Sequence, residues 1–182
     1  MPNTNRIISP YIPGGNPDTM NVSSLYAPGD LGSAHDLNDR SYQCVQLDSG
    51  ATAATPVGAP AANQLTFWKD KNKYLVTTDD RMAIGGQTAN AWRNQAAGWL
   101  RNAATPGNYV YILQRGDNIP VAGAAGGGVG QRIIAQTTGT AQVTFEAVGG
   151  NNTYKALGVA REATAATLAG HVYADVDIPN IP

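Results

Sequence analysis

Charge is scarce in this chain. Only 14% of its 182 residues are Asp, Glu, Lys or Arg, where about a quarter is usual for a soluble domain. The net charge is −1, so nothing in the balance points to an electrostatic grip on a polyanion, and neither direct nucleic-acid binding nor a membrane partner is expected. Two readings of the low charge stay open: a surface covered by a partner, or one rich in Ser, Thr, Asn and Gln. Cysteine is nearly absent. Cys44 stands alone, which excludes an internal disulfide and a cysteine-based zinc site and leaves it as a small apolar residue within a strand. The only histidines are His35 and His171. There is no long apolar run, so no membrane-spanning segment is expected. The N-terminus, MPNTNRIISPYIPGG, has neither an apolar leader core nor a small-residue cleavage signal.

Turn formers are abundant, with 21 Gly and 11 Pro, and 42% of the chain is hydrophobic. That suits one turn-rich β domain with a real core. The fold expected is mainly β: a small antiparallel β-barrel or sandwich, an extended Pro-rich N-terminal arm, and at most one short helix. Residues 1–36 form the arm and 37–182 the β-rich domain. In the arm, Pro2, Pro10, Pro13, Pro17 and Pro28 block helix and central strand alike. Between them lie Ile7, Ile8, Tyr11, Ile12, Leu25 and Tyr26, more apolar groups than a disordered tail carries. These six are the candidate contacts of the arm with its own domain or with a neighbouring subunit.

Within the domain, the run from Arg40 to Asp48 reads as a strand. Phe67 to Thr78, FWKDKNKYLVTT, reads as a hairpin turning at KDKN. In 87–101, QTANAWRNQAAGWLR, the spacing of Trp92, Ala96, Trp99 and Leu100 predicts the one helix, weakened by Gly98. The tryptophans there read as core or interface packing rather than a stacking platform for bases or sugars. Tyr109 to Gln114 is apolar on both faces and reads as a central strand. Gly116-Asp117-Asn118 reads as a turn before a new strand at Ile119, and 122–130 as a flexible Gly/Ala loop lacking phosphate-binding spacing. Ala160 to Ala169 reads as helix-like in composition or as a strand end with a loop. Two late runs alternate cleanly. Ala141, Val143, Phe145 and Ala147 oppose Gln142, Thr144 and Glu146; Val172, Ala174, Val176 and Ile178 oppose His171, Tyr173, Asp175 and Asp177. Such period-two patterns mark strands with one buried face.

Reactive chemistry is hard to assemble. No nucleophile elbow accompanies the histidines. His35 lies in a turn-like stretch, SAHDLNDR, and His171 on the wet face of its strand. The carboxylate pairs Asp79-Asp80 and Asp175/Asp177 are of a kind that serves glycosidase or calcium sites. They read instead as turn residues and as charges guarding an exposed strand edge. No catalytic, cofactor-binding or metal-ligating residue is assigned, no cofactor is expected, and an enzyme is not expected.

Several phrases occur in a telling order: SYQCVQLDSG, FWKDKNKYLVTTDD, AAGWLRNAATPGNYVYILQRG, QRIIAQTTGTAQV and ALGVAREATAATLAGHVYADVDIP. In this order the chain resembles the capsid cement, or head decoration, proteins of tailed bacteriophages. The resemblance runs over about residues 40–178 and rests on Asp70 to Thr77, Ala97-Gly98, Thr105 to Tyr109 and Leu157 to Ala163. It implies a structural virion protein without catalysis, made in the host cytoplasm and placed on the outer surface of the capsid. There it would form a homotrimer and clamp neighbouring copies of the major capsid protein. The Pro-rich arm departs from the shortest members of such families. Two alternatives remain: a glycan-binding head-fibre or tail domain using Trp68, Trp92 and Trp99, and a hydrolase with an unrecognised site.

Overall fold

The computed structural model describes residues 21–22, 33–35, 40–51, 53–54, 57–58, 60–79, 83–84, 94–123, 126–136, 143–146, 154–163 and 170–178. Thirteen strands lie among them: β1 Asn21–Val22, β2 Ser33–His35, β3 Ser41–Leu47, β4 Ala53–Ala54, β5 Val57–Gly58, β6 Leu65–Asp70, β7 Leu75–Thr77, β8 Ala96–Leu100, β9 Tyr109–Gly123, β10 Arg132–Ala135, β11 Val143–Glu146, β12 Gly158–Ala160 and β13 Gly170–Asp177. All but the β4–β5 hairpin join one eleven-stranded sheet. The chain is mainly β, as its turn content and alternation predict.

The organising strand is β9, 15 residues long. Its first half pairs antiparallel with β3 and β8. From there β8 pairs β6, β6 pairs β7, and β7 runs parallel to β3, which closes a five-stranded barrel. The second half of β9 pairs antiparallel with β13, β13 with β12, β12 with β10 and β10 with β11. A single parallel pair, Val143 with Gly123, brings β11 back to β9. A second five-stranded circuit closes there. Taken in chain order, the two circuits have the same plan: the first strand runs parallel to the third, and every other contact is antiparallel. The last strand of one is the first strand of the other.

The match extends to residues. Gly98 of β8 stands opposite Thr66, and Gly158 of β12 opposite Ile133. A Cβ on Gly98 would lie 2.7 Å from the Leu113 carbonyl oxygen of the next strand, and one on Gly158 would lie 2.0 Å from that of Asp175. Only glycine allows either approach. Around them run Ala96-Ala97-Gly98-Trp99-Leu100-Arg101 and Ala156-Leu157-Gly158-Val159-Ala160-Arg161. Before each circuit's second strand sits a left-handed residue, Asn63 (φ 64°) and Gly130 (φ 78°). The Asn63 amide donates to Leu100 O and that of Gly130 to Ala160 O, at 2.7 and 2.8 Å. A glutamine follows each, and its Oε1 accepts the N–H three residues back: Gln64 from Ala61, Gln131 from Gly128. The third strands pair alike, Val76 with Trp68 and Val143 with Ala135, and from those valines the chain reads Val76-Thr77-Thr78-Asp79 and Val143-Thr144-Phe145-Glu146.

Alternation divides the interior into two clusters. One draws on all five barrel strands: Val45 and Leu47, Trp68, Val76, Ala97 and Leu100, Val110 and Ile112. The other takes residues from alternate positions, among them Tyr42, Cys44, Leu65, Phe67, Trp99, Tyr111 and Leu113, and joins them to Ile119, Val121, Ile133, Val143, Leu157, Ala174 and Val176 of the second circuit. Cys44 is buried within strand β3, as expected. Ala174, Val176 and Ile178 point inward while Asp177 is exposed, and Val143 is buried. Phe145 is only half-buried against the second cluster.

Several expectations are corrected. The C-terminal part of the predicted helix is strand β8, and 87–93 lies outside the described residues. Every residue of β8 is buried, so it has no polar face for a surface helix to present, and the close approach at Gly98 suits a sheet. The expected turn at Gly116-Asp117-Asn118 is a bulge inside continuous β9: the register against β13 shifts there, Asn118 takes φ 53°, and its N–H donates to Asp175 Oδ1 at 3.0 Å. The β6–β7 turn falls at Lys71–Tyr74, two residues late, because Asp70 stays in the strand and accepts the Asn72 and Lys73 amides. His35 ends a strand rather than lying in a turn, and Asp79 is buried after β7. Asp175 and Asp177 do not guard an edge, since β13 has a strand on each side.

Candidate interaction surface

The arm residues singled out from the sequence, Ile7, Ile8, Tyr11, Ile12, Leu25 and Tyr26, lie outside the described residues. Between and after them, two short pieces pair with the sheet. β1 sets Asn21 and Val22 against Val110 and Tyr109, and β2 sets Ser33 to His35 against Gln43 to Ser41.

Three ion pairs brace strands. Lys69 Nζ lies 2.9 Å from Asp48 Oδ2, with the carboxylate nearly buried. Arg132 reaches Glu146 Oε2 at 2.9 Å across β10 and β11, and its other terminal nitrogen donates to Tyr154 O at 3.2 Å. Arg161 pairs with Asp175, which also holds the β9 bulge. Among the described residues no three His, Cys, Asp or Glu side chains converge as metal ligands would, and no helix is long and apolar enough to cross a membrane.

What faces outward is apolar in two places. At the β6–β7 turn, Tyr74 is exposed and meets Trp68 edge-on, centroids 6.4 Å apart at 72°. Exposed Ile84 donates its N–H to Trp68 O. Near this corner, burial and the Lys71 ammonium hold Lys155 below the usual lysine range, against the pull of Asp177. The second place is the 126–131 turn and β12, where Val129 and Val159 are exposed. Gly127 lies under the Phe145 ring, and the Gln131 clasp organises the turn; of the expected loop 122–130, Ala122 and Gly123 belong to β9 and Val129 and Gly130 to the turn. Trp99 is fully buried and offers no face to a ligand; Trp92 lies outside the described residues. Sequence reasoning missed these four exposed residues because strand alternation and turn composition do not say which apolar residues another segment covers. Of the four, only Val159 falls within a repeated phrase, Ala-x-Gly-x-x-Arg, and that repeat is legible only with the pairing in hand.

No protein-family model matches the chain, and comparison with curated proteins finds none similar to it.

Proposed function

We propose that this protein is a non-catalytic structural virion protein, a cement protein on the outer surface of a phage head that clamps neighbouring major capsid subunits as a homotrimer. The observation that supports this best is how the chain uses its few charges. Asp48, Arg132, Glu146, Arg161 and Asp175 tie strands together instead of converging on a substrate-sized site. A doubly closed β framework braced this way resists deformation and offers few free strand edges, which suits a clamp under load. The order of the sequence phrases supports the same reading. The apolar arm supplies contact area beyond the framework, since each buried aliphatic or aromatic side chain contributes on the order of 1.5–3 kcal/mol before ordering costs.

The test compares the full chain with one lacking residues 1–20, a cut placed before β1. Full-length protein is expected to bind undecorated heads and to sediment as a trimer at micromolar concentration; the truncated form is expected to stay folded and bind at least tenfold more weakly. Failure of the full chain to bind heads removes the cement reading. Equal binding by both forms removes the arm from it. The second reading is a glycan-binding fibre or tail domain, favoured by exposed Tyr74 against Trp68. It requires retention on a glycan array that Tyr74→Ala abolishes.

A further inference from the structure

The chain's only lysines are Lys69, Lys71, Lys73 and Lys155, and the fold gathers them at one corner of the first barrel. Lys69 lies in β6, and Lys71 and Lys73 lie in the turn that follows it. Lys155 arrives from the approach to β12. Its amide donates to Asn94 Oδ1 at 2.8 Å, and the next residue, Gln95, accepts the Trp68 amide of β6 at 2.8 Å. Two of the four ammonium groups are already held, Lys69 by Asp48 and Lys73, more loosely, by Asp70 at 3.7 Å. Lys71 and Lys155 make no ion pair among the described residues, although both are half-buried. Asp177 attracts Lys155 without reaching ion-pair distance. Beside the two lysines, Tyr74 and Ile84 are exposed, and each leans on Trp68, one through its ring and one through its amide.

We propose that this corner docks an acidic segment of a partner protein, with a carboxylate seated between Lys71 and Lys155 and an adjoining apolar side chain laid over Tyr74 and Ile84. Charge complementarity sets the sign of the partner. Burial and the neighbouring Lys71 ammonium hold Lys155 below the usual lysine range, so the two cations disfavour each other as they stand. An anion between them offsets that repulsion, and an ammonium bonds a carboxylate more strongly than it bonds a neutral acceptor. The apolar flank sets the class of partner. Trp68 is nearly buried, and what it leaves outward is an aliphatic Ile84 beside Tyr74. A sugar laid there would bury hydroxyls against an aliphatic group, which costs free energy without hydrogen bonds in return. A Leu or Phe side chain buries apolar area at the same place. The inference goes beyond the cement reading and holds without it, since neither the arm nor a capsid enters it.

The experiment is an NMR titration of the full-length chain with three probes: the end-blocked tripeptide Glu-Phe-Glu, its neutral counterpart Gln-Phe-Gln, and digalacturonate, a sugar of the same charge as the first. Glu-Phe-Glu is expected to shift the Lys71, Tyr74, Ile84 and Lys155 resonances saturably and to bind at least about tenfold more tightly than Gln-Phe-Gln. Lys71→Gln/Lys155→Gln is expected to lose that advantage. Lys73→Gln removes a charge from the same turn but not from the pair, and is expected to leave binding within about twofold. An equal loss there would mean that net charge alone is read, and overturns the site. So does the absence of a saturable shift, equal binding of Gln-Phe-Gln, or a folded double variant that binds like the wild type. Digalacturonate binding as tightly as Glu-Phe-Glu overturns the protein partner in favour of an acidic glycan. If the double variant loses its β circular-dichroism signal, Lys71→Gln decides alone, and it must weaken Glu-Phe-Glu at least about threefold for the proposal to stand.

Discussion

In the first circuit the position opposite Leu65 holds Trp99, fully buried; in the second the position opposite Arg132 holds Val159, nearly half exposed. One residue before each stands a glycine pressed against the next strand's backbone, and one after each a residue whose amide donates to a glutamine carbonyl, Leu100 to Gln64 and Ala160 to Gln131. The difference separates two kinds of constraint. Backbone demands recur because the strand plan recurs: a residue without Cβ where strands crowd, a left-handed residue ahead of the second strand, a glutamine that satisfies a turn amide. Side-chain character does not recur, because it answers to whatever lies outside the strand, protein in one case and water in the other. The barrel also closes through two or more pairs on every side, whereas the second circuit closes through one pair at Gly123.

The largest test of this comparison is the pair of glycines. Gly158→Ala is expected to lose roughly 3 kcal/mol or more, since φ +153° adds backbone strain to the clash with Asp175 O. Gly98→Ala carries the clash without the φ penalty and should lose about 1–3 kcal/mol. Urea unfolding of both variants reads the order, and a neutral Gly158→Ala would break the equivalence.

Next comes Phe145, which takes the position of Thr78 in the first circuit and covers Gly127. A Cβ on Gly127 would sit 2.4 Å from the Phe145 ring. Phe145→Ala is expected to cost about 2–3 kcal/mol, below the ~3–5 of a fully buried phenylalanine because this ring is half-buried. An unchanged thermal midpoint would show that the ring contributes nothing to the second circuit.

The glutamine clasps should respond as a matched pair. Gln64→Ala and Gln131→Ala each remove one turn hydrogen bond and should each cost about 0.5–1.5 kcal/mol. Thermal midpoints that fall by clearly unequal amounts would separate the two turns.

The smallest effect sharpens a difference. Lys155 occupies the position of Gln95, and its folded-state pKa lies below the ordinary 10.5 because of burial and Lys71. Between the folded value and 10.5 the unfolded chain binds more protons, so stability should rise with pH across that window and be lost as pH falls through it. Lys155→Gln should flatten that alkaline rise in thermal midpoint. A slope that persists would assign it to another group.

Much of this was legible in the residues. Alternation placed Val143, Ala174, Val176 and Ile178 inward, and the β-branched and aromatic runs marked β3, β6, β7 and the first half of β9. Local signals failed where two structures share one composition. AAGWL carries helix-compatible spacing, but its burial on every side makes it a strand. Gly116-Asp117-Asn118 carries turn chemistry, yet Asp175, far along the chain, holds Asn118 inside a continuous strand. The six arm residues proposed as contacts lie outside the described residues and stay a proposal. The exposed apolar pairs needed the pairing to be seen.

By itself the sequence determined the class of the protein: turn-rich, sparsely charged and alternating. Those are local properties, set by the sterics of φ, ψ and Cβ within a few residues. Only the tertiary structure decided that one 15-residue strand serves two circuits, that Trp99 is core while Val159 faces water, and that Arg132 and Asp175 flank Val159 in ion pairs. Each of these depends on which strands become neighbours. That is settled by burying apolar area between segments far apart in the chain, which no short window of residues records.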